Sequence, residues 1–435
     1  MPQFSRRDFL RGGAGLGATA LSISTAQAMP NLARPSADPE TLARDEAFWG
    51  RVAAKYDVTD SHTNLENGYW GIMAKPVLAE YQRLSAWVNH RNTPWARFEL
   101  GEVYSGLRER VAAFLNVGAD EIALTRGATE ALQALIGSYN RLSPGDTVLY
   151  ADLDYREMKT AMAWLADRRG VQPVKVTFPE PTRDKQLTEQ DILDFYEQAL
   201  DANPGTKLLL LTHLNNLTGM IIPVSKIAAM ARERGIDVIL DAAHSVGQVD
   251  FDIAAMGCDF VGVNLHKWVG APIGCGVMFI RRDRVTGIDS YMGRSPGSDK
   301  VTDRIDTGTS NFAAHLAIPA TFDFHEQIGT AVKEARLRYL RNLWVEEARK
   351  LPGVTVLSPD APAMVAALTS FRLDGVTSTA DNRALMRRLA DEFGLLTTQR
   401  HGPAAGDCIR VTPSFYNRPD DCMKLVRALQ AITAS

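Results

Sequence analysis

Cysteine is scarce. The chain has four in 435 residues, and no pair is spaced C-x2-C, so neither a disulfide scaffold nor a zinc module is expected. No other cluster has metal-ligand spacing, so no metal site is expected. Basic excess is missing as well: 48 Lys and Arg stand against 51 Asp and Glu, a formal net charge of −3. That balance argues against nucleic acid or an anionic membrane surface as a partner. No apolar run reaches the roughly 18 residues of a membrane-spanning helix, so no membrane anchor is expected. Internal repeats are absent. So are the G-x-x-x-x-G-K-[ST] of a nucleotide loop, a well-placed G-x-G-x-x-G and a helix-turn-helix segment ahead of residue 64. What is present is a globular composition, 45% hydrophobic and 23% charged, on a chain long enough for two packed units.

The first residues have the three parts of an export signal. Ser5-Arg6-Arg7-Asp8-Phe9-Leu10 supplies the charge, Gly12–Ile23 a short, weakly apolar middle, and Ala26-Gln27-Ala28 a small-residue cleavage site. The paired arginines followed by Phe-Leu resemble a twin-arginine (Tat) signal, an address read by the Tat export machinery rather than an anchor. Cleavage after Ala28 leaves 407 residues and, by removing Arg6, Arg7, Asp8 and Arg11, a net charge of −5. The destination implied is periplasmic or otherwise extracytoplasmic. A Tat substrate travels folded, so export carries no expectation of a disulfide.

From about residue 120, short apolar runs alternate with helical periodicity. The spacing of Leu132, Leu135, Ile136 and Tyr139 predicts a helix over Thr129–Tyr139. Strands are predicted at Val148–Tyr150, Val174–Phe178, Leu208–Leu211, Val238–Leu240, Phe260–Val263 and Val277–Ile280. Helical patterns at Thr188–Leu200 and Val224–Arg234 separate them. Continuous apolar strands between helices predict an α/β fold with a mostly parallel sheet covered on both faces. Beyond about residue 313, helices at Ala331–Lys350 and Ser378–Phe393 surround strands at Val365–Leu373 and Ile409–Thr412, which suits a smaller α+β domain. The expected organisation is a signal over 1–28, an N-terminal segment over 29–75 that joins the small domain and the mouth of the site, a large domain over 76–312 and a small one over 313–435.

Two strand ends carry chemistry. Val238-Ile239-Leu240 runs into Asp241, and Phe260–Val263 leads to Asn264-Leu265-His266-Lys267-Trp268. In an open α/β sheet the C-terminal strand ends line the ligand crevice, so Asp241 and Lys267 share one pocket. A buried ion pair is the plain explanation. Pyridoxal phosphate chemistry is the sharper one: the lysine forms a Schiff base, and the aspartate keeps the cofactor's ring nitrogen protonated as an electron sink. Thr125-Arg126-Gly127-Ala128-Thr129-Glu130, entering a helix, offers backbone N–H groups and a favourable dipole to a phosphate, although an N-capping threonine explains the same residues.

Taken in order, Gly127-Ala128-Thr129-Glu130, Asn216-Leu217-Thr218-Gly219, Asp241-Ala242-Ala243-His244, Asn264–Trp268 and Arg410 ahead of Tyr416-Asn417 resemble the class V aminotransferase family of fold-type I pyridoxal phosphate enzymes. Asn264–Trp268 followed by Ala271-Pro272-x-Gly274-x-Gly276 is most similar to the isopenicillin N epimerase-like branch. The resemblance runs from about Asn64 to the C-terminus and implies a large domain built on a seven-stranded sheet.

The resemblance also implies roles. Lys267 would carry pyridoxal 5'-phosphate and shuttle the proton, and Asp241 would pair with the ring nitrogen. His244 and Asn216 would approach the ring oxygen, and Tyr155 would stack on the ring where many relatives have histidine. Gly127, Ala128 and Thr129 would cradle the phosphate, helped by His266 and by Asn264, which stands where many desulfurases have serine. Thr309, after Gly308, would reach the phosphate of a neighbouring subunit, implying a homodimer with shared active sites. Arg410 would grip the carboxylate of an amino-acid-type substrate, with the Asn67 loop nearby.

The expected activity is an α-carbon reaction of an amino acid, aminotransferase-type. Epimerisation or racemisation and C–S or β-lysis are the alternatives, and a catalytically silent exported binding protein of the same fold is the alternative of another class. Desulfuration through an enzyme thiol is disfavoured, because Gln399–Ala405 contains no cysteine. Cys258, Cys275 and Cys408 are expected to be buried small hydrophobes.

Overall fold

The computed structural model describes residues 31–434 except 184 and 307. The export signal lies outside the described residues.

Helix α1 (Lys75–Phe98) and helix α2 (Leu100–Leu115) precede the large sheet. Seven strands form that sheet: β1 (Ile122–Thr125), β2 (Thr147–Ala151), β3 (Gln172–Val176), β4 (Thr206–Thr212), β5 (Asp237–Asp241), β6 (Phe260–Asn264) and β7 (Gly276–Ile280). Their order is β1-β7-β6-β5-β4-β2-β3. Only β7 opposes the rest, paired antiparallel to both β1 and β6. Strands β2, β6 and β7 are buried along their whole length, and β4 and β5 everywhere except Lys207 and Asp237, as their continuous apolar runs require of a sheet covered on both faces. Helices α3 (Ala128–Ser138), α4 (Arg156–Arg169), α5 (Glu189–Asp201) and α6 (Val224–Glu233) make the crossovers.

The second unit is an antiparallel sheet of β8 (Val354–Val356), β9 (Thr369–Leu373), β10 (Thr398–Arg400) and β11 (Cys408–Val411), in the order β10-β11-β9-β8. Helices α7 (Thr330–Ala348), α8 (Thr379–Phe393) and α9 (Pro419–Thr433) accompany it. Leu340, Trp344, Phe371, Leu389 and Leu425 meet in its core. The N-terminal segment closes onto this unit, with Thr63–Asn64 paired to Leu395–Leu396. Ala314, Ile318 and Phe322, by contrast, pack into the core of the large sheet.

Two sequence expectations needed correction. The run Val365–Leu373 becomes a strand only from Thr369. Ala366, Ala367 and Leu368 are instead buried against Phe48, Trp49 and Trp268, and Gln248 Oε1 accepts the Leu368 N–H at 3.1 Å. Burial between the two units, rather than strand pairing, explains that apolar stretch. Strand β1, absent from the sequence reading, sits on the sheet edge beside β7.

Candidate active site

The C-terminal ends of the parallel strands open onto one cavity of about 1300 Å³. Asp241 ends β5 and Asn264 ends β6. Lys267 follows three residues on, and Gly127 follows the end of β1. Of the residues singled out from sequence, Gly127, Ala128, Thr129, Tyr155, Asn216, Asp241, His244, Asn264, His266, Lys267 and Arg410 all line this cavity. Asn67 and Thr309 do not. Asn67 is buried, with its side chain spent on Tyr416 Oη, Asn64 and the Thr412 carbonyl. Thr309 is exposed, just past Gly308.

Lys267 sits among groups that favour its neutral form. His244 Nε2 lies 2.9 Å from Lys267 Nζ, and His244 Nδ1 accepts the Trp268 indole N–H at 3.2 Å. A neutral imidazole has one proton. With Nδ1 accepting, that proton is on Nε2 and points at Lys267, which must then accept it as an uncharged amine. The energetics agree. Burial pushes Lys267 down to about 7, against the upward pull of Asp241. Burial also holds His244 well below an ordinary histidine.

Asp241 is buried and accepts the Ala243 N–H at 2.9 Å. Desolvation raises its pKa, with Lys267 pulling the other way. A cationic N–H facing that carboxyl would favour its anion. Asn216 supplies a second open valence, since its Oδ1 is buried without a partner. The turn chemistry there belongs to its neighbour: Asn215 Oδ1 accepts the N–H groups of Leu217 at 2.8 Å and Thr218 at 3.0 Å. Asn216 is thereby left to face the cavity.

The loop that leads from β1 into α3 is shaped by close backbone approach. A Cβ on Gly276 would collide with the Gly127 backbone, and one on Gly127 would sit 3.0 Å from Asn264 Oδ1. Helix α3 starts there without a capping side chain. Asn264 Oδ1 instead takes the Ala128 N–H at 2.7 Å, and His266 Nδ1 is 2.8 Å from the Cys275 carbonyl. The capping-threonine explanation therefore fails: Thr129 lies inside the helix with its side chain exposed to the cavity. A ring nitrogen facing Asp241, a ring oxygen near Asn216 and a phosphate at the α3 N-terminus would satisfy these groups together.

Two residues that sequence reasoning missed also shape the site. Arg400 lines the cavity, and Glu66 holds the Arg410 guanidinium with both carboxylate oxygens. Glu66 stands beside the Asn67 loop and Arg400 in the cysteine-free stretch Gln399–Ala405, and neither was singled out there. Only the alternation of β10, with Gln399 and His401 both turned to Asp407, puts Arg400 on the cavity side.

The aminotransferase class-V family profile matches residues 74–399. The chain belongs to that family. A profile of the Tat pathway signal sequence matches residues 3–22. Among similar proteins is the isopenicillin N epimerase of Streptomyces clavuligerus, 26% identical over 89% of this chain and 99% of its own. Another is a probable cysteine desulfurase of Xylella fastidiosa (strain 9a5c), 27% identical over 76% and 80%. In fold, the chain is similar to the apo cysteine desulfurase of Thermococcus onnurineus NA1, with a TM-score of 0.74 at 19% identity over 88% and 98% of the two chains. It is likewise similar to the cystine C-S lyase C-DES, with a TM-score of 0.72 at 21% identity over 85% and 98%. The protein is thus a fold-type I member of the class V pyridoxal phosphate enzymes, with pyridoxal 5'-phosphate as its cofactor and a Tat signal at its N-terminus.

Proposed function

We propose that this protein acts, outside the cytoplasm, on the α-carbon of an amino acid or amino-acid-derived substrate, in an aminotransferase-type reaction with Lys267 as the single base. The observation that carries this reading is Lys267 Nζ, 2.9 Å from His244 Nε2, in one cavity with the buried Asp241. Bound pyridoxal 5'-phosphate supplies an electron sink for the bond broken at the α-carbon. Asp241 would keep the ring nitrogen protonated, Asn216 and His244 would address the ring oxygen, Tyr155 would flank the ring, and Gly127, Ala128, Thr129, Asn264 and His266 would hold the phosphate. Lys267, with a pKa of about 7, is matched to taking up and returning a proton at neutral pH.

Thiol-dependent desulfuration is disfavoured. All four cysteines are buried, and burial pushes Cys258 and Cys408 up to about 12. The stretch after Arg400 is also tied down. Ala405 N–H donates to Glu180 at 3.0 Å, Arg372 pairs with Glu180 at 3.0 Å, and Asp407 accepts from Thr379, Gln399 and His401. Epimerisation is the second reading, favoured by the near full-length match to isopenicillin N epimerase.

The assembly we infer is a homodimer with Thr309 offered to the partner's phosphate site. Its exposed position, and the exposed Tyr69, Ile273 and Met292, support that arrangement. Incubating the loaded protein with an amino-acid panel in deuterated water separates the outcomes. A keto acid marks transamination, α-deuterium with inverted configuration marks epimerisation, and a released side-chain fragment marks lysis. A protein that exchanges no α-proton with any amino acid contradicts the reading.

A further inference from the structure

Lys333 is buried near the start of α7, and its amine has no carboxylate partner among the described residues. Its Nζ donates to the Trp268 carbonyl at 3.1 Å, lies 2.6 Å from His325 Nδ1 and stands 4.4 Å from the centroid of the Phe415 ring. Among the described residues no backbone N–H takes the Trp268 carbonyl, so Lys333 is what satisfies it. Burial holds both Lys333 and His325 well below their ordinary pKa ranges. A neutral imidazole accepting at Nδ1 has its proton on Nε2, which faces Thr330 Oγ1 at 3.4 Å. The surroundings of the amine, with Trp268, Phe324, Val332 and Phe415, are an apolar core, where an aliphatic side chain costs less than a polar one.

The backbone around Lys267 is held from other sides too. A Cβ on Gly247 would stand 2.7 Å from the Trp268 carbonyl carbon, and the Gly71 N–H donates to the His266 carbonyl at 2.9 Å. Lys267 lies between these two fixed residues. The same Trp268 presents its indole to His244, whose Nε2 meets the Lys267 amine. A chain of contacts thus runs from Lys333 through Trp268 and His244 to Lys267.

We propose that Lys333 is a positioning residue for Lys267: by fixing the Trp268 carbonyl it fixes the indole, and the indole decides which nitrogen of His244 carries the proton facing the Lys267 amine. This rests on the reading of Lys267 as the base and goes beyond it by placing a second lysine behind the first. Lys333 does not line the cavity. It comes from a helix of the second unit, so the two units meet at the residue that follows Lys267. His325 and the Phe415 ring orient its amine.

The test follows pyridoxal 5'-phosphate capture by the apoprotein against pH, by absorbance, since only the uncharged Lys267 amine condenses. Lys333→Met keeps the apolar stem and removes the donor. Asp241, Arg410, Arg400 and Glu66, the charged groups that act on Lys267, are the same in every variant. The capture midpoint should rise by about half to one pH unit in Lys333→Met, the worth of one neutral hydrogen bond. In a Trp268→Phe background the same substitution should leave the midpoint where Trp268→Phe alone puts it, because the route to His244 is already cut. In nitrogen–proton NMR spectra the Trp268 indole resonance, identified by its absence from Trp268→Phe, should move in Lys333→Met. His325→Phe releases the amine without removing it; it should shift both readouts in the same direction by less, and it carries the test if Lys333→Met does not fold. An unchanged midpoint in the folded variants, or a rise that is equal in the Trp268→Phe background, overturns the proposal and leaves Lys333 a packing residue. If the wild type captures no pyridoxal 5'-phosphate at any pH, the pyridoxal reading itself fails; if capture is normal and only the shifts are missing, the positioning proposal alone does.

Discussion

Replacing Trp268 with phenylalanine should raise the pKa of Lys267. In the native site the indole N–H donates to His244 Nδ1 at 3.2 Å and so keeps the imidazole proton on Nε2, 2.9 Å from the lysine amine. That arrangement stabilises an uncharged Lys267, consistent with a pKa of about 7. Phenylalanine keeps most of the apolar volume and removes the donor. The imidazole can then hold its proton on Nδ1 and turn a lone pair toward the lysine, which favours the ammonium. Exchanging a bond to the neutral amine for one to the ammonium is worth about 1.5–3 kcal/mol, or about one to two pH units. The assay is the pH dependence of pyridoxal 5'-phosphate capture by the apoprotein, followed by absorbance, because only the uncharged amine condenses. The wild-type midpoint is expected near pH 7 and the variant's about one to two units higher. Lost packing lowers stability but does not move that midpoint. A variant midpoint at or below the wild-type value refutes the tautomer argument.

Other consequences are separate and measurable. Because Lys267 is held below the ordinary lysine range, the unfolded chain binds the extra proton between about pH 7 and about pH 10.4; this group's contribution to apoprotein stability therefore rises with pH across that window, by at most ~1.4 kcal/mol per unit. Urea unfolding of Lys267→Met at several pH values should show the shallower dependence. Asp241 has the opposite sign: burial raises its pKa, so its stabilising contribution is complete below the unfolded aspartate pKa and is lost as pH rises through the folded one. Asp241→Asn should accordingly raise the apoprotein melting temperature at neutral pH while cutting turnover by about two orders of magnitude or more. Gly276→Ala pushes the Gly127 backbone away from its place at the α3 N-terminus and should cost about 1–3 kcal/mol, with weaker cofactor retention on dialysis as the expected result if that loop holds the phosphate. Glu180→Gln should free the stretch after Arg400, read as faster limited proteolysis at residues 401–406 and about 1–3 kcal/mol of lost stability.

The large sheet was legible because its buried strands are continuous apolar runs, and Asp241 and Lys267 were legible because a charge at the end of such a run has few structural uses. Gly127 through Thr129 could be placed at a helix start for the same reason. Strand β1 is four residues long at a sheet edge, too short to show a period. Helix α1 escaped notice because just three of its residues are buried and a non-helical residue, Asn92, interrupts it. Val365–Leu368 misled because burial between units and strand pairing select the same apolar residues. In the site, Arg410 was found through its place before Tyr416-Asn417, yet its engagement by Glu66 joins residues 344 positions apart. No local pattern encodes that pair, or the tautomer that Trp268 imposes on His244.

The central claim, that Lys267 carries the cofactor, is tested most directly by borohydride reduction of the loaded protein followed by peptide mapping. The account predicts a visible band that reduction abolishes and a single pyridoxyl-modified lysine, Lys267, with no band in Lys267→Ala. A protein that takes up no pyridoxal 5'-phosphate, or one modified at another lysine while Lys267 stays free, contradicts it.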